Sequence, residues 1–216
     1  MRLGGAVRTG GGWGAFCSRR GPGDIVQNCF RYHLSPEGMM FESAARAVDS
    51  AVVPAGDSAP ELQVRACSDI GSTVYAGPPD FLRAIMQKAD EMAQPLSLTP
   101  ALMMGQGLTA DLRREYADRG IAVTQCYATA DLGLIAYETP SAEEMVVDER
   151  VIVEIVRPGS GEPLPDGEMG EVLVTTLNPD YPLVRFATGD MSAAIPGQSP
   201  CGRTNMRIRG VLDRVR

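Results

Sequence analysis

The stretch YPLVRFATGD, from Tyr181 to Asp190, is an apolar β-like run that carries one buried-looking arginine, Arg185, and then a carboxylate, Asp190, that follows Thr188 and Gly189. A carboxylate on a rigid strand end can accept a hydrogen bond from each of two adjacent hydroxyls, the pattern a ribose presents. Hydrogen bonds to charged groups contribute roughly 1.5–3 kcal/mol each. Gly189 leaves room for a sugar to approach the backbone. The same residues also describe a plain turn capped by Asp190. Upstream, QCYATADLGLIAYE (Gln125 to Glu138) reads as a strand ending at Tyr127, followed by a small-residue loop with Asp131. The aromatic face suits stacking on a base and the acid suits a magnesium ion on phosphates; the alternative is a half-buried packing tyrosine. In LMMGQGLTADLRREY a strand runs into Gly105, Gln106 and Gly107 before a helix. Backbone amides there face an adenine or a phosphate, or serve only to turn a strand into a helix.

The elements that must hold these residues alternate. DIVQNCF (Asp24 to Phe30), Ala51 to Pro54, Thr73 to Ala76, Ala101 to Met104 and Ile121 to Cys126 read as strands. Between them, helical spacing covers Pro36 to Val48, Glu61 to Ile70, Asp80 to Met92 and Thr109 to Arg119, the last capped by Thr109 and ended by Gly120. This rhythm predicts a mostly parallel sheet with helices on its faces. From Glu144 the period changes to two. VIVEIV, a Pro/Gly-rich loop (Pro158 to Gly170), EVLVTTL and YPLVRFATGD predict a small antiparallel β module, with YPLVRFATGD as a strand that stops at its Thr-Gly-Asp end. The fold class is therefore α/β, a parallel sheet followed by an antiparallel module.

Composition limits the functions. At 216 residues, 44% hydrophobic and 22% charged, the chain is long enough to bury a real core. No apolar run reaches the roughly 18 residues of a membrane span, and MRLGGAVRTGGGWG lacks the apolar core of a secretory signal, so a cytoplasmic protein without a membrane is expected. A net charge of −7 argues against nucleic acid as a partner. Five scattered cysteines suit reduced thiols better than disulfides or zinc. The arginine-rich end, RTNMRIRGVLDRVR, reads as a solvated tail or an anion-contacting edge.

Taken together and in this order, these stretches resemble the AMP-forming acyl-CoA ligases of the adenylate-forming superfamily, most closely the phenylacetate–CoA ligase branch. CYATADLGLIAYE stands where the superfamily has Tyr-Gly-x-Thr-Glu, NPDYPLVRFATGD is similar to its Arg-x-x-Thr-Gly-Asp segment, and SPCGRTNMRIRG to the Gly-Arg segment that follows. The resemblance implies Asp190 on the ribose hydroxyls and Tyr127 and Ala128 at the adenine, with Gly105, Gln106 and Gly107 on the adenine's border. It implies Asp131 beside a magnesium ion and Arg214 just before an interdomain hinge. His33, in YHLSPEGMMF, resembles a helix start beside an acyl and pantetheine tunnel; Pro79 and Phe81, in GPPDFL, resemble a wall of the acid pocket. Without a ligand, His33 is an ordinary helix-start residue and Pro79 and Phe81 are core.

The implied substrates are ATP, coenzyme A and an aryl or arylacetic acid, with Mg2+ and AMP as ligands, and a homo-oligomer is left open. The implied organisation is a glycine-rich segment over 1–22, an α/β subdomain over 23–140 and an antiparallel β subdomain over 141–216 that ends at the hinge. The sequence departs from the superfamily at Ala128, Ala130, Asp131, Gln106 and Arg216. RTGGGWG lacks the lysine and following hydroxyl of a phosphate loop. An incomplete ligase, inactive by itself, is therefore expected; the alternative is a non-catalytic nucleotide-binding or protein-interaction module derived from that fold.

Overall fold

The computed structural model describes residues 23–105, 108–139 and 144–215. Contacts divide the chain into two compact units that meet in sequence between Gln125 and Cys126.

In the N-terminal unit, β1 (Ile25–Asn28), β2 (Ala51–Val53), β3 (Val74–Gly77) and β4 (Pro100–Met104) form a parallel sheet in the order β2-β1-β3-β4. The helices α1 (Glu37–Arg46), α2 (Pro60–Ile70), α3 (Pro79–Glu91) and α4 (Ala110–Asp118) alternate with these strands, as the sequence rhythm predicts. Strands covered on both faces need apolar residues at successive positions, and every residue of β3 is buried. Tyr75, Leu82, Ile85, Met103 and Tyr116 make the centre of this core. Helix ends follow local chemistry. Thr109 Oγ1 accepts from Leu112 N at 3.2 Å, and Gly120, at φ +75°, takes the left-handed turn that releases the chain after α4.

The C-terminal unit is antiparallel and larger than the period-two pattern indicates. Beyond β8 (Val151–Val156), β9 (Met169–Thr176) and β10 (Phe186–Ile195), it contains β6 (Gly133–Glu138), β7 (Met145–Val147), β11 (Arg207–Ile208) and β12 (Asp213–Arg214). The strand β5 (Ala122–Thr129) pairs with β6. The sequence reading missed β6 because its residues are buried on both faces from Ile135 onward, which removes the alternation that marks a half-exposed strand. Alternation survives in β8, where Val151, Val153 and Ile155 face the core and Ile152 is exposed.

Two local expectations are corrected. The chain does not run as a strand from Tyr181 to an end at Asp190; β10 starts at Phe186 and continues to Ile195, so Thr188-Gly189-Asp190 lies inside it. Arg185 has a left-handed backbone, φ 48°, that breaks any strand before it, and its side chain is exposed, paired with Glu154 at 3.1 Å and donating to Gly161 O at 2.7 Å. Likewise the strand carrying Tyr127 does not end there but reaches Thr129, and Asp131 sits on the tight β5–β6 turn.

One buried ion pair ties β7 to β11. Arg207, the first residue of β11, meets Glu144, which directly precedes β7; Ser199 Oγ donates to the same carboxylate at 2.6 Å. Both charged residues are buried. Removing one partner of such a pair leaves an uncompensated buried charge, which is strongly destabilising.

Candidate functional site

The candidate site is built from three strands of the C-terminal unit and begins with an irregularity in β10. The β9–β10 ladder shifts register between Ala187 and Met191. Inside this interval Thr188 Oγ1 donates to Val172 O at 3.0 Å and accepts from the Asp190 amide at 3.1 Å, so one hydroxyl braces the displaced backbone at both ends. Gly189 sits at φ +73° with open space where a Cβ would stand; its requirement is conformational rather than steric. The short strand β12 lines up against the irregular stretch, pairing Arg214 with Asp190 and Asp213 with Met191.

This backbone turns the Asp190 carboxylate inward, where it is 5% exposed. Oδ2 accepts from the hydroxyl of Tyr127, on β5, at 2.8 Å. Oδ1 faces the Arg214 guanidinium, with Nε at 3.2 Å, yet receives no directed hydrogen bond. The contact is thus a charge pair rather than a well-aligned bond, and the Arg214 side chain remains 71% exposed. A buried carboxylate needs compensation for lost hydration. Here a buried phenol supplies it on one oxygen and a solvent-facing cation on the other.

Tyr127 is 6% exposed. Burial holds its phenol well above the ordinary tyrosine range; the Thr188 hydroxyl lowers it, while the hydrogen bond and charge of Asp190 raise it further. The proton therefore stays on Tyr127, and the phenol is the donor in the Tyr127–Asp190 bond. Ser192, two residues beyond Asp190 in β10, is fully buried with an unpartnered hydroxyl among the described residues.

The structure therefore brings together Tyr127, Asp190 and Arg214 from the sequence-derived set, and it adds Thr188 as their brace. A threonine two residues before the acid was the available signal for that brace. Ala128 follows Tyr127 in β5 and is half-buried. Asp131 is exposed at the β5–β6 turn, where Thr129 Oγ1 accepts from Leu132 N at 3.2 Å. Among the described residues no group of three or more His, Cys, Asp or Glu side chains is arranged to hold a metal ion.

The remaining residues belong to the N-terminal unit. Gly105 follows β4, its carbonyl accepting from Gln125 Nε2 at 3.1 Å, while Gln106 and Gly107 lie outside the described residues. His33 is exposed ahead of α1. Pro79 is buried at the start of α3 with its carbonyl taken by Tyr116 Oη at 2.6 Å, and Phe81 packs half-buried against the core.

The phenylacetate-coenzyme A ligase of Thermus thermophilus is 29% identical over 207 residues, covering 90% of this chain and 46% of that protein. The enzyme of the same name from Pseudomonas putida is 26% identical, covering 88% of this chain and 46% of that protein. The chain thus spans about half the length of the curated relatives it matches. A 2-hydroxyisobutyryl-CoA ligase, solved in complex with 2-HIB-AMP and CoA, superposes with a TM-score of 0.83 at 18% identity, covering 94% of this chain and 48% of that one. At that identity the likeness establishes the fold. The family described as AMP-binding enzyme matches residues 32–178, a segment that contains Tyr127 and Asp131 and stops short of Asp190. With most of the chain inside that match, and with the ligases' fold, this chain belongs to the AMP-binding enzyme family.

Proposed function

We propose that this chain forms part of an AMP-forming acid–CoA ligase that activates an aryl or arylacetic acid, with phenylacetate the first candidate, and that Asp190 is its ribose-binding carboxylate. The observation that carries the reading is the inward-turned Asp190, whose Oδ1 has a solvent-exposed cation beside it and no directed donor. A ribose hydroxyl arriving there exchanges a misaligned charge contact for an aligned bond to a charged acceptor. Membership of the AMP-binding family and the likeness to phenylacetate-coenzyme A ligases support the substrate class.

In the proposed reaction a substrate carboxylate attacks the α-phosphorus of ATP, forming an acyl-adenylate and releasing pyrophosphate. The thiolate of coenzyme A then attacks the acyl carbon, forming the thioester and releasing AMP. The residues of this chain contribute positioning: Asp190 holds the sugar, Tyr127 and Ala128 border the base, and Gly105, Gln106 and Gly107 are assigned to the base's edge. Asp131 alone offers one carboxylate, which fits Mg2+, a cation that takes most of its ligands from phosphate and water. When bound, that ion neutralises charge on the phosphates. His33, Pro79 and Phe81 are assigned to the acyl and pantetheine side, and the protein is assigned to the cytoplasm.

Calorimetry with AMP tests the reading. Asp190→Asn replaces one charged acceptor oxygen by a donor, so AMP affinity is expected to fall by roughly 1.5–3 kcal/mol, about ten- to a hundredfold. 2′-Deoxy-AMP is expected to bind as weakly to the native chain as AMP does to the variant. Equal affinity for AMP and 2′-deoxy-AMP would reduce Asp190 to a structural residue.

A further inference from the structure

We propose that Tyr127 is a positioning residue that acts through its hydroxyl, by fixing which oxygen of Asp190 reads the ribose. This rests on the ribose-binding reading of Asp190 given above. A free carboxylate has two equivalent oxygens and turns about its Cβ–Cγ bond. At Asp190 the oxygens are made unequal: Oδ2 is engaged by Tyr127 Oη at 2.8 Å, and Oδ1 is left with the Arg214 contact at 3.2 Å.

Three features make this inequality a property of the fold. Tyr127 and Asp190 are both nearly excluded from water, so no solvent competes for Oδ2. The Asp190 backbone is held by the Thr188 hydroxyl, so the carboxylate cannot follow a retreating phenol by main-chain movement without breaking that brace. Arg214, in contrast, is exposed, so the Oδ1 side can be vacated at little cost. The phenol is thus the fixed partner and the guanidinium the exchangeable one. The aromatic ring and the hydroxyl of Tyr127 then have separable roles, the ring bordering the base and the hydroxyl orienting the acid.

The test compares AMP and 2′-deoxy-AMP binding to the native chain, Tyr127→Phe and Tyr127→Leu by calorimetry, with thermal melts to confirm folding. Tyr127→Phe keeps the ring and removes the hydroxyl. Its AMP affinity is expected to fall about three- to tenfold while 2′-deoxy-AMP affinity changes by less than about twofold, so that the discrimination between them shrinks. Tyr127→Leu is expected to weaken both nucleotides. If the native chain discriminates the two nucleotides and Tyr127→Phe discriminates them equally well, or weakens both in proportion, the positioning role is overturned and the ribose reading stands. If the native chain binds no AMP, or binds both nucleotides alike, the ribose reading fails and the inference fails with it.

Discussion

Asp190 and the buried cysteines show how burial without compensation differs from burial with it. The acid is accepted into the interior because Tyr127 and Arg214 meet its charge. The thiols avoid the problem by remaining protonated. Burial pushes Cys67 up to about 11 and Cys126 up to about 12, and Cys29 lies higher still, also through burial. Since the thiolate is the nucleophile, a raised value lowers reactivity at every pH below it; at pH 8 a thiol titrating near 12 is about one part in ten thousand thiolate. Iodoacetamide at pH 8 followed by mass spectrometry is expected to leave Cys29, Cys67 and Cys126 unlabelled in the folded chain and to label the exposed Cys201. In urea Cys29, Cys67 and Cys126 should react as well. Labelling of Cys126 in the folded state as fast as Cys201 would contradict the packing around β5.

Asp190 is carried by the irregular part of β10, where a ladder shift, a bracing threonine and a left-handed glycine coincide. A regular strand would send Thr188 and Asp190 to the same face at the ordinary pleat spacing. The shift between Ala187 and Met191, with Gly189 at φ +73°, instead lets the Thr188 hydroxyl reach the Asp190 amide. A side chain at 189 meets open space, so its cost is the backbone conformation alone. Gly189→Ala is expected to lower the free energy of unfolding by roughly 1–2 kcal/mol, the strain of a left-handed non-glycine residue. Gly189→Asn should cost less, because asparagine tolerates that region. Urea denaturation measures both. Equal and negligible effects would mean the strand relaxes to a regular pleat.

For the whole molecule, the balance of charges bears on turnover. Transfer of the adenylyl group of ATP to a carboxylate builds negative charge on the phosphates, which must meet preorganised cationic or N–H donors. The 216 residues contain a single lysine, Lys88. It lies on α3 in an ion pair with Glu91. We therefore expect this chain alone to bind AMP but to release no pyrophosphate from ATP with phenylacetate and coenzyme A. A coupled pyrophosphate assay checks this. Sustained release that Asp190→Ala abolishes would reveal a phosphate site within the chain. The derived nucleotide-binding module, weighed beside the ligase, shares the binding result; the single ion-paired lysine is the observation in its favour.

Local chemistry was enough to read the parallel half of the fold from sequence. Pro60 and Pro79 open helices, Thr109 caps one and Gly120 closes it, and short apolar runs lie between, so each element is announced by its own residues. The sequence also marks Asp190 and Tyr127 as candidates, because a Thr-Gly-Asp run and an aromatic residue among small ones are unusual combinations. Their relation was not legible. Tyr127 and Asp190 are joined through the ladders of β5, β6, β7, β11 and β10, and the hydrogen bond between them exists only once those strands are in register. The sequence also made Thr-Gly-Asp the end of a strand, since glycine ordinarily marks a turn. Pairing with β9 on one side and β12 on the other carries the strand through the glycine, because long-range hydrogen bonds outweigh a local preference of about 1 kcal/mol. Residue types determined which groups are candidates for chemistry here; strand pairing decided which oxygen of Asp190 faces a phenol and which faces the exposed guanidinium of Arg214.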